Sequence, residues 1–476
     1  MDTPILDFVR AYAESGTVRA HMPGHKGRGP LGIEALDLTE IQGADSLYEA
    51  DGIIRRSEEN ASRLFGSRMT LYSTEGSSLC IRAMLLTALK EGRKHGLAPV
   101  LLAGRNVHRT VLSAACLLDF DIEWLYGPGG SIAGVREKTD EIRTRLNGEF
   151  TGPYRINLCV DNVLSILPEA EEIRAALSGM DPKPFAVYLT SPDYLGGMAD
   201  IGSAAKVCAE FGVPLLVDNA HGAYLRFLNP SLHPLSLGAQ MCCDSAHKTL
   251  PALTGAAYLH AGGWPGLTVR EVRENMALFG STSPSYLTLA SLDGVNGLLA
   301  GDWSEKLSRF CLRLTCLKLE LFRAGWVLYD SDPLRLTLWA SESGYRGDEL
   351  AGILRQKGIE CEFADPDFTV LMLSPGQEED NFRIGRTLLS IPIRKSLEHT
   401  PPPVQRGKKA CSIREAMLAP SEAVPAEKAL GRILAAPCVS CPPAVPILIC
   451  GELVTKEAID AFKYYGIRTL SVVREG

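Results

Sequence analysis

The sequence lacks any apolar run long enough to cross a bilayer. Its longest runs, such as Val213–Val217 and Val445–Cys450, are strand-length and far short of the roughly 20 residues a spanning helix needs. It also lacks a basic start followed by an apolar core. The opening MDTPILDFVRAYAESG carries acidic residues among its apolar ones and reads as a short amphipathic helix rather than a signal peptide. Positive charge is not in excess: the formal net charge is -7, which argues against nucleic acid as the main partner. Paired cysteine motifs are scarce. The 13 cysteines are odd in number and often lie inside apolar stretches (Cys116, Cys159, Cys208, Cys242, Cys243), the pattern of reduced, buried thiols in a cytoplasmic protein. The one C-x-x-C, Cys438 to Cys441, has no second pair, whereas zinc normally takes four ligands; it is read as a loop. No internal repeat or long low-complexity run occurs.

What is present fits a soluble globular enzyme: 476 residues, 46% apolar and 22% charged, enough for two or three domains. A Gly- and Pro-rich stretch around HMPGHKGRGP closes an N-terminal helix and arm, 1–35. From about residue 55 helix and strand patterns alternate. Helices are expected at Ile53–Phe65, Leu79–Lys90, Val111–Leu118 and Ile201–Phe211. Buried strands are expected at Pro99–Ala103, Phe185–Thr190, Val213–Asp218, Met241–Asp244 and Ala256–His260. Continuous apolar strands between helices argue for a mainly parallel sheet covered on both faces, an α/β architecture. This large domain is drawn as 36–300. A long helical stretch from Leu287 to about Arg323 leads into a smaller α+β domain, 301–400, with patterns at Leu334–Trp339, Asp348–Lys357 and Val370–Leu373. The Pro-rich, basic HTPPPVQRGKK reads as a linker or exposed loop before a C-terminal domain, 401–476.

Four segments could carry chemistry. Lys248, in Asp244-Ser245-Ala246-His247-Lys248-Thr249, is flanked by apolar strands and is expected to point into a pocket. Burial lowers a lysine pKa and makes the amine a nucleophile, as the Schiff base of pyridoxal phosphate (PLP) requires; a solvated loop lysine is the ordinary alternative. Asp218 ends an apolar strand 30 residues earlier, where open α/β sheets bind ligands. It could cap a turn, bind a metal, or hold a protonated pyridine nitrogen. Glu75-Gly76-Ser77-Ser78 opens a helix, which is either a phosphate site or an ordinary N-cap. His108 follows a strand and could stack on a flat ring or shuttle protons, or be structural. His21 and His25 do not share a helix face, because Pro23-Gly24 separates them. The acidic group Glu40, Asp45, Glu49 and Asp51 could meet a substrate's distal cation or be a solvated loop.

Taken in order, these segments resemble the Orn/Lys/Arg decarboxylases, bacterial PLP enzymes of the fold-type-I, aspartate-aminotransferase-like class. SAHKTLPALTGAAYLH resembles that family's lysine signature. HMPGHKG, EIQGADSLYEADGII, FGSTSPSYLTLASLD and APSEAVPAEKALGRILAAPCVSCPPAVPILICGE are similar to further family segments, so the likeness runs over most of the chain in its compact form. The resemblance implies that Lys248 forms the aldimine, Asp218 pairs with the pyridine nitrogen and His108 stacks on the ring. It implies that Ser77, Ser78, Ser245 and His247 hold the phosphate and that His221 sits near the ring. Ser281 or Thr282 would reach a neighbour's phosphate across a homodimer interface.

Two positions depart from the family pattern: Gly255 after Thr254, and Gly280 before Ser281, where Gln is common. Both put the pocket's shape in doubt. The reaction implied is decarboxylation of a small basic amino acid, with loss of CO2 and reprotonation by Lys248 or His108. Arginine to agmatine ranks first, then lysine to cadaverine, then ornithine to putrescine. Another fold-type-I activity (aminotransferase, aldolase or lyase) and a non-catalytic relative are the competing readings. No metal, nucleic acid or membrane partner is expected.

Overall fold

The computed structural model describes residues 1–127, 167–329, 332–397, 401–403, 406–441 and 445–475. The chain forms two compact units. The first comprises Met1–Leu101, Ile173–Ser191 and Asp200–Leu307; the second comprises Leu102–Glu172, Pro192–Ala199 and Ser308–Gly476.

Seven strands make the main sheet: β1 (Met69–Ser73), β2 (Ala98–Gly104), β3 (Asp121–Leu125), β4 (Pro184–Thr190), β5 (Leu215–Asp218), β6 (Met241–Asp244) and β7 (Ala257–Ala261). Their order is β1-β7-β6-β5-β4-β2-β3, and β2 passes from the first unit into the second. β4, β5 and β6 run parallel. β5 and β6 are buried at every position and β4 at all but Thr190, which is why their sequences are nearly unbroken apolar runs. β7 returns antiparallel to both β6 and β1. The parallel direction of β5 and β6 brings Asp218 and Asp244 to the same edge of the sheet.

The expected helices are present with small shifts at their ends. Ile53–Phe65 has the expected bounds and stops at Gly66, whose φ of 66° is open to glycine. The next helix, Gly76–Lys94, begins three residues before the expected Leu79, so Ser77 and Ser78 lie in its first turn. The stretch from Leu287 to Arg323 is not one helix. It is Tyr286–Leu299 and Trp303–Arg323, broken at Gly301-Asp302, where glycine and aspartate favour a turn. Asp293, buried in the first of these helices, accepts the N–H groups of Ile5 at 2.8 Å and Leu6 at 3.0 Å and the Ser57 hydroxyl at 2.5 Å. It thereby anchors the N-terminal helix Pro4–Glu14, whose own N-cap Thr3 makes no capping bond.

In the second unit, β8 (Leu328–Tyr329), β9 (Arg335–Trp339), β10 (Phe363–Ala364) and β11 (Phe368–Met372) form an antiparallel sheet of order β10-β11-β9-β8. This is the mixture of strand and helix expected beyond residue 325. Two antiparallel two-stranded pairs follow: β12 (Ser421–Pro425) with β15 (Thr469–Val473), and β13 (Cys438–Cys441) with β14 (Val445–Ile449). They pack with helix Lys456–Tyr464 around Leu434, Leu448, Phe462 and Val472. The C-x-x-C is therefore a strand, not a loop: backbone pairing to the apolar β14 outweighs the flanking prolines. Within HTPPPVQRGKK, residues 399–400 and 404–405 lie outside the described residues, as does Cys159. No helix among the described residues is long and apolar enough to cross a membrane.

Candidate functional site

Asp218 is the last residue of β5 and is buried. Its Oδ1 accepts the Ala220 N–H at 3.1 Å and the Cys243 thiol at 3.7 Å. Tyr188, on β4, stands beside it. Burial, reinforced by the Asp218 charge, pushes the Tyr188 phenol and the Cys243 thiol well above their ordinary pKa. Both remain neutral around this carboxylate.

The chain then turns tightly. Gly222 donates its N–H to the Asn219 carbonyl at 2.7 Å, and the Asn219 amide fills the space where a side chain at 222 would go. The turn delivers buried His221, whose Nε2 lies 2.9 Å from Lys248 Nζ. Lys248 arrives from the neighbouring strand: β6 ends at Asp244, and Ser245 is the N-cap of a single helical turn, Ala246–Thr249. His247 in that turn donates from Nδ1 to the Ala256 carbonyl at 3.0 Å. Lys248 itself is exposed, which corrects the expectation of a buried amine. The short turn swings the side chain out to the open carboxyl edge of the sheet instead of back among the strands. In this chain the imidazole of His221 lies within hydrogen-bond distance of the amine.

The first turn of helix Gly76–Lys94 has no side-chain cap. Ser245 donates its hydroxyl to Ser77 Oγ at 2.8 Å, joining the helix start to the lysine segment. Gly76 donates its N–H to Gly255 O at 2.7 Å. Gly255 has φ +93°, and a Cβ there would meet Thr74 O at 2.7 Å. Only glycine serves at 255, which gives a steric reason for that departure. At 280 the Tyr48 hydroxyl occupies the place a Cβ would need, so the second departure is also dictated by a neighbour. Burial, with the Glu75 charge adding to it, pushes the Tyr48 phenol up to about 12. Glu75, instead of capping its helix, accepts the Ser281 N–H at 2.6 Å. Ser281 and Thr282 are exposed.

Among the predicted residues, Ser77, Ser78, Asp218, His221, Ser245, His247, Lys248, Ser281 and Thr282 all belong to the first unit. His108 belongs to the second. It is the N-cap of helix Arg109–Leu118, with Nδ1 accepting the Thr110 N–H at 3.3 Å. With Nδ1 an acceptor, the ring proton sits on Nε2. Three residues earlier, Arg105 forms a bidentate pair with Glu452 at 2.8 and 2.7 Å. Within the acidic group, Asp45 is buried and accepts N–H groups from Ser46, Asp51, Gly52 and Ile54. It is a structural cap, not a docking charge.

No role was expected for Asp244, His233, His260 or Tyr48, and Glu75 was expected only as part of a helix start. A charged residue ending an otherwise apolar strand was the available signal for Asp244. Burial alone would raise the Asp244 pKa, but the imidazoles of His233 and His260 outweigh that and hold its carboxyl well below the usual range. Burial lowers His260.

A mainly parallel sheet with lysine, aspartate and a hydroxyl-lined helix start at its carboxyl edge defines the class: the architecture is that of fold-type-I PLP enzymes. The constitutive lysine decarboxylase of E. coli superposes with a TM-score of 0.73 at 18% identity, covering 99% of this chain and 82% of that one. The lysine decarboxylase of Francisella novicida gives 0.76 at 15% identity, covering 99% and 81%. A serine palmitoyltransferase from Sphingomonas wittichii gives 0.54 at 13% identity, covering 82% and 83%. In sequence, the model of the Orn/Lys/Arg decarboxylase major domain matches residues 160–324. An arginine decarboxylase of Bacillus subtilis is 28% identical, over 96% of this chain and 92% of the relative. An arginine decarboxylase of Halalkalibacterium halodurans is also 28% identical, over 95% and 91%. Over residues 160–324 the chain is thus similar to the major domain of the Orn/Lys/Arg decarboxylases, and along nearly its whole length to arginine decarboxylases.

Proposed function

We propose that this chain catalyses PLP-dependent decarboxylation of a basic amino acid, arginine to agmatine first, then lysine and then ornithine. The observation that carries the reading is the 2.9 Å contact of Lys248 Nζ with His221 Nε2, on the sheet edge that also holds Asp218 and the Ser77–Ser245 pair. The residues fit the cofactor. An uncapped helix start with neighbouring hydroxyls suits a phosphate dianion. A buried carboxylate among neutral donors suits a protonated pyridine nitrogen.

Bound PLP supplies an electron sink for the pair released when CO2 departs. In this chain, Ser77, Ser78, Ser245 and His247 hold the phosphate. Asp218 would be the carboxylate to hold a proton on the ring nitrogen. Lys248 provides the amine nucleophile, and His221 Nε2 accepts or returns the proton at Lys248 Nζ. Ser281 and Thr282, exposed beside Glu75, serve a neighbouring copy in a two-fold dimer; full activity of an isolated monomer contradicts that assignment.

The test is amine identification after incubating PLP-supplied protein with arginine, lysine and ornithine separately. Agmatine with stoichiometric CO2 supports the reading. A requirement for 2-oxoglutarate, with no CO2 released, replaces it with transamination.

A further inference from the structure

Three buried titratable side chains of the first unit take no part in the chemistry just described. Asp244, His233 and His260 are each 0% exposed. Asp244 Oδ2 accepts from His233 Nε2 at 3.1 Å and His260 Nε2 at 3.2 Å, while Oδ1 accepts from Asn219 Nδ2 at 2.7 Å. A buried carboxylate with three donors is well paired, and losing one leaves charge uncompensated. The imidazoles are themselves held in place. His260 Nδ1 pairs with the Thr70 hydroxyl at 2.8 Å, and the Phe65 ring packs on both, with centroids 4.4 Å from His260 and 5.6 Å from His233.

Oδ1 reaches the site through Asn219, while Oδ2 is held by the two imidazoles behind it. Asn219 lies in the turn that presents Asp218 and His221. Asp244 immediately precedes Ser245 and lies four residues before Lys248. One carboxylate therefore ties the turn 218–222 to the segment 245–248. We infer that Asp244, pinned by His233 and His260, is a positioning residue that sets the approach of His221 to Lys248. The inference rests on the decarboxylase reading and deepens it. The three ligand-type atoms also lie within 4.8 Å of one another, a spacing a zinc ion could use. The imidazoles already meet the carboxylate at hydrogen-bond distance, so the metal is an outcome of the test and not the proposal.

The test uses PLP-reconstituted protein. Wild type is assayed first for a visible cofactor band and CO2 release; if neither appears, the decarboxylase reading fails and the inference falls with it. With both present, Asp244→Asn keeps the shape but loses the charge and one acceptor. The expected result is a kcat lower by about 10- to 100-fold, as for small misalignment of reacting groups, with KM changed less than about twofold. The midpoint of the band's pH dependence also moves, which a partly unfolded sample would not cause. Asn219→Ala cuts the tie while His233 and His260 stay paired with the carboxylate, so in folded protein it moves the same midpoint, with some loss of urea stability from the lost donor. His260→Gln, which retains an N–H donor toward Asp244, keeps the wild-type midpoint. An unmoved midpoint in Asp244→Asn and Asn219→Ala overturns the inference. One equivalent of zinc in the wild-type holoenzyme overturns it as well.

Discussion

Replacing Glu452 with alanine strands one of the most deeply buried charges in the second unit. Arg105 and Glu452 side chains are 0% and 4% exposed and meet through two parallel N–H···O bonds of 2.8 and 2.7 Å. Glu452 Oε2 also accepts the Ile449 N–H at 3.0 Å. Removing one partner of a buried pair costs about 3–5 kcal/mol, chiefly because the other charge is left in a poorly solvating site. The rings of Trp124 and Tyr126, 5.0 and 5.9 Å from the guanidinium carbon, offset some of this, on the order of 1 kcal/mol. A net loss near the lower end, about 3 kcal/mol, is therefore expected. Urea unfolding followed by tryptophan fluorescence reads it directly, since Trp124 sits against the pair. The double variant Arg105→Met with Glu452→Met removes both charges and should recover most of the loss, because apolar replacements of buried pairs are often neutral. A single variant costing less than about 1 kcal/mol, or a double no better than the single, refutes the reasoning.

Two further outcomes follow from particular contacts. Gly280→Ala places a Cβ against the Tyr48 hydroxyl; a loss of about 1–3 kcal/mol is expected from overpacking, and Tyr48→Ala in the same chain should restore part of it in a double-mutant cycle. Burial pushes Asp365 up to about 7, and its Oδ2 has no hydrogen-bond partner. Because the folded pKa lies above the unfolded one, this group's contribution is complete below the ordinary carboxylate range and is lost as pH rises through about 7. Asp365→Asn, which keeps the acceptor for the Asp367 and Phe368 N–H groups, should raise stability at pH 8 by on the order of 1–3 kcal/mol and leave it little changed at pH 4. Equal effects at both pH values would show that Asp365 is ionised throughout.

The parts of the fold legible in the sequence were those written in local pattern. The apolar runs of β4, β5 and β6 and the amphipathic helices between them fix which residues end on the carboxyl edge, so Asp218 and Lys248 could be paired before any coordinates. β1 was missed because MTLYS holds only three apolar residues between two helical patterns; its burial comes from pairing with β7, nearly 190 residues later. The exposure of Lys248 was missed because neighbouring strands say nothing about where a one-turn helix points. The Asp244 cluster joins positions 233, 244 and 260 through strand pairing and a loop, and Tyr48 meets Gly280 across 232 residues. Contacts of that separation leave no periodic trace. The glycines at 255 and 280, visible in sequence only as departures, became explicable once Thr74 and Tyr48 were found against them.

Whether Lys248 carries the cofactor is decided by borohydride reduction of PLP-loaded protein followed by peptide mapping. A single pyridoxyl-modified peptide bearing the label on Lys248 is expected, absent in Lys248→Ala together with all CO2 release from arginine. Label on another lysine, or undiminished decarboxylation by Lys248→Ala, would contradict it.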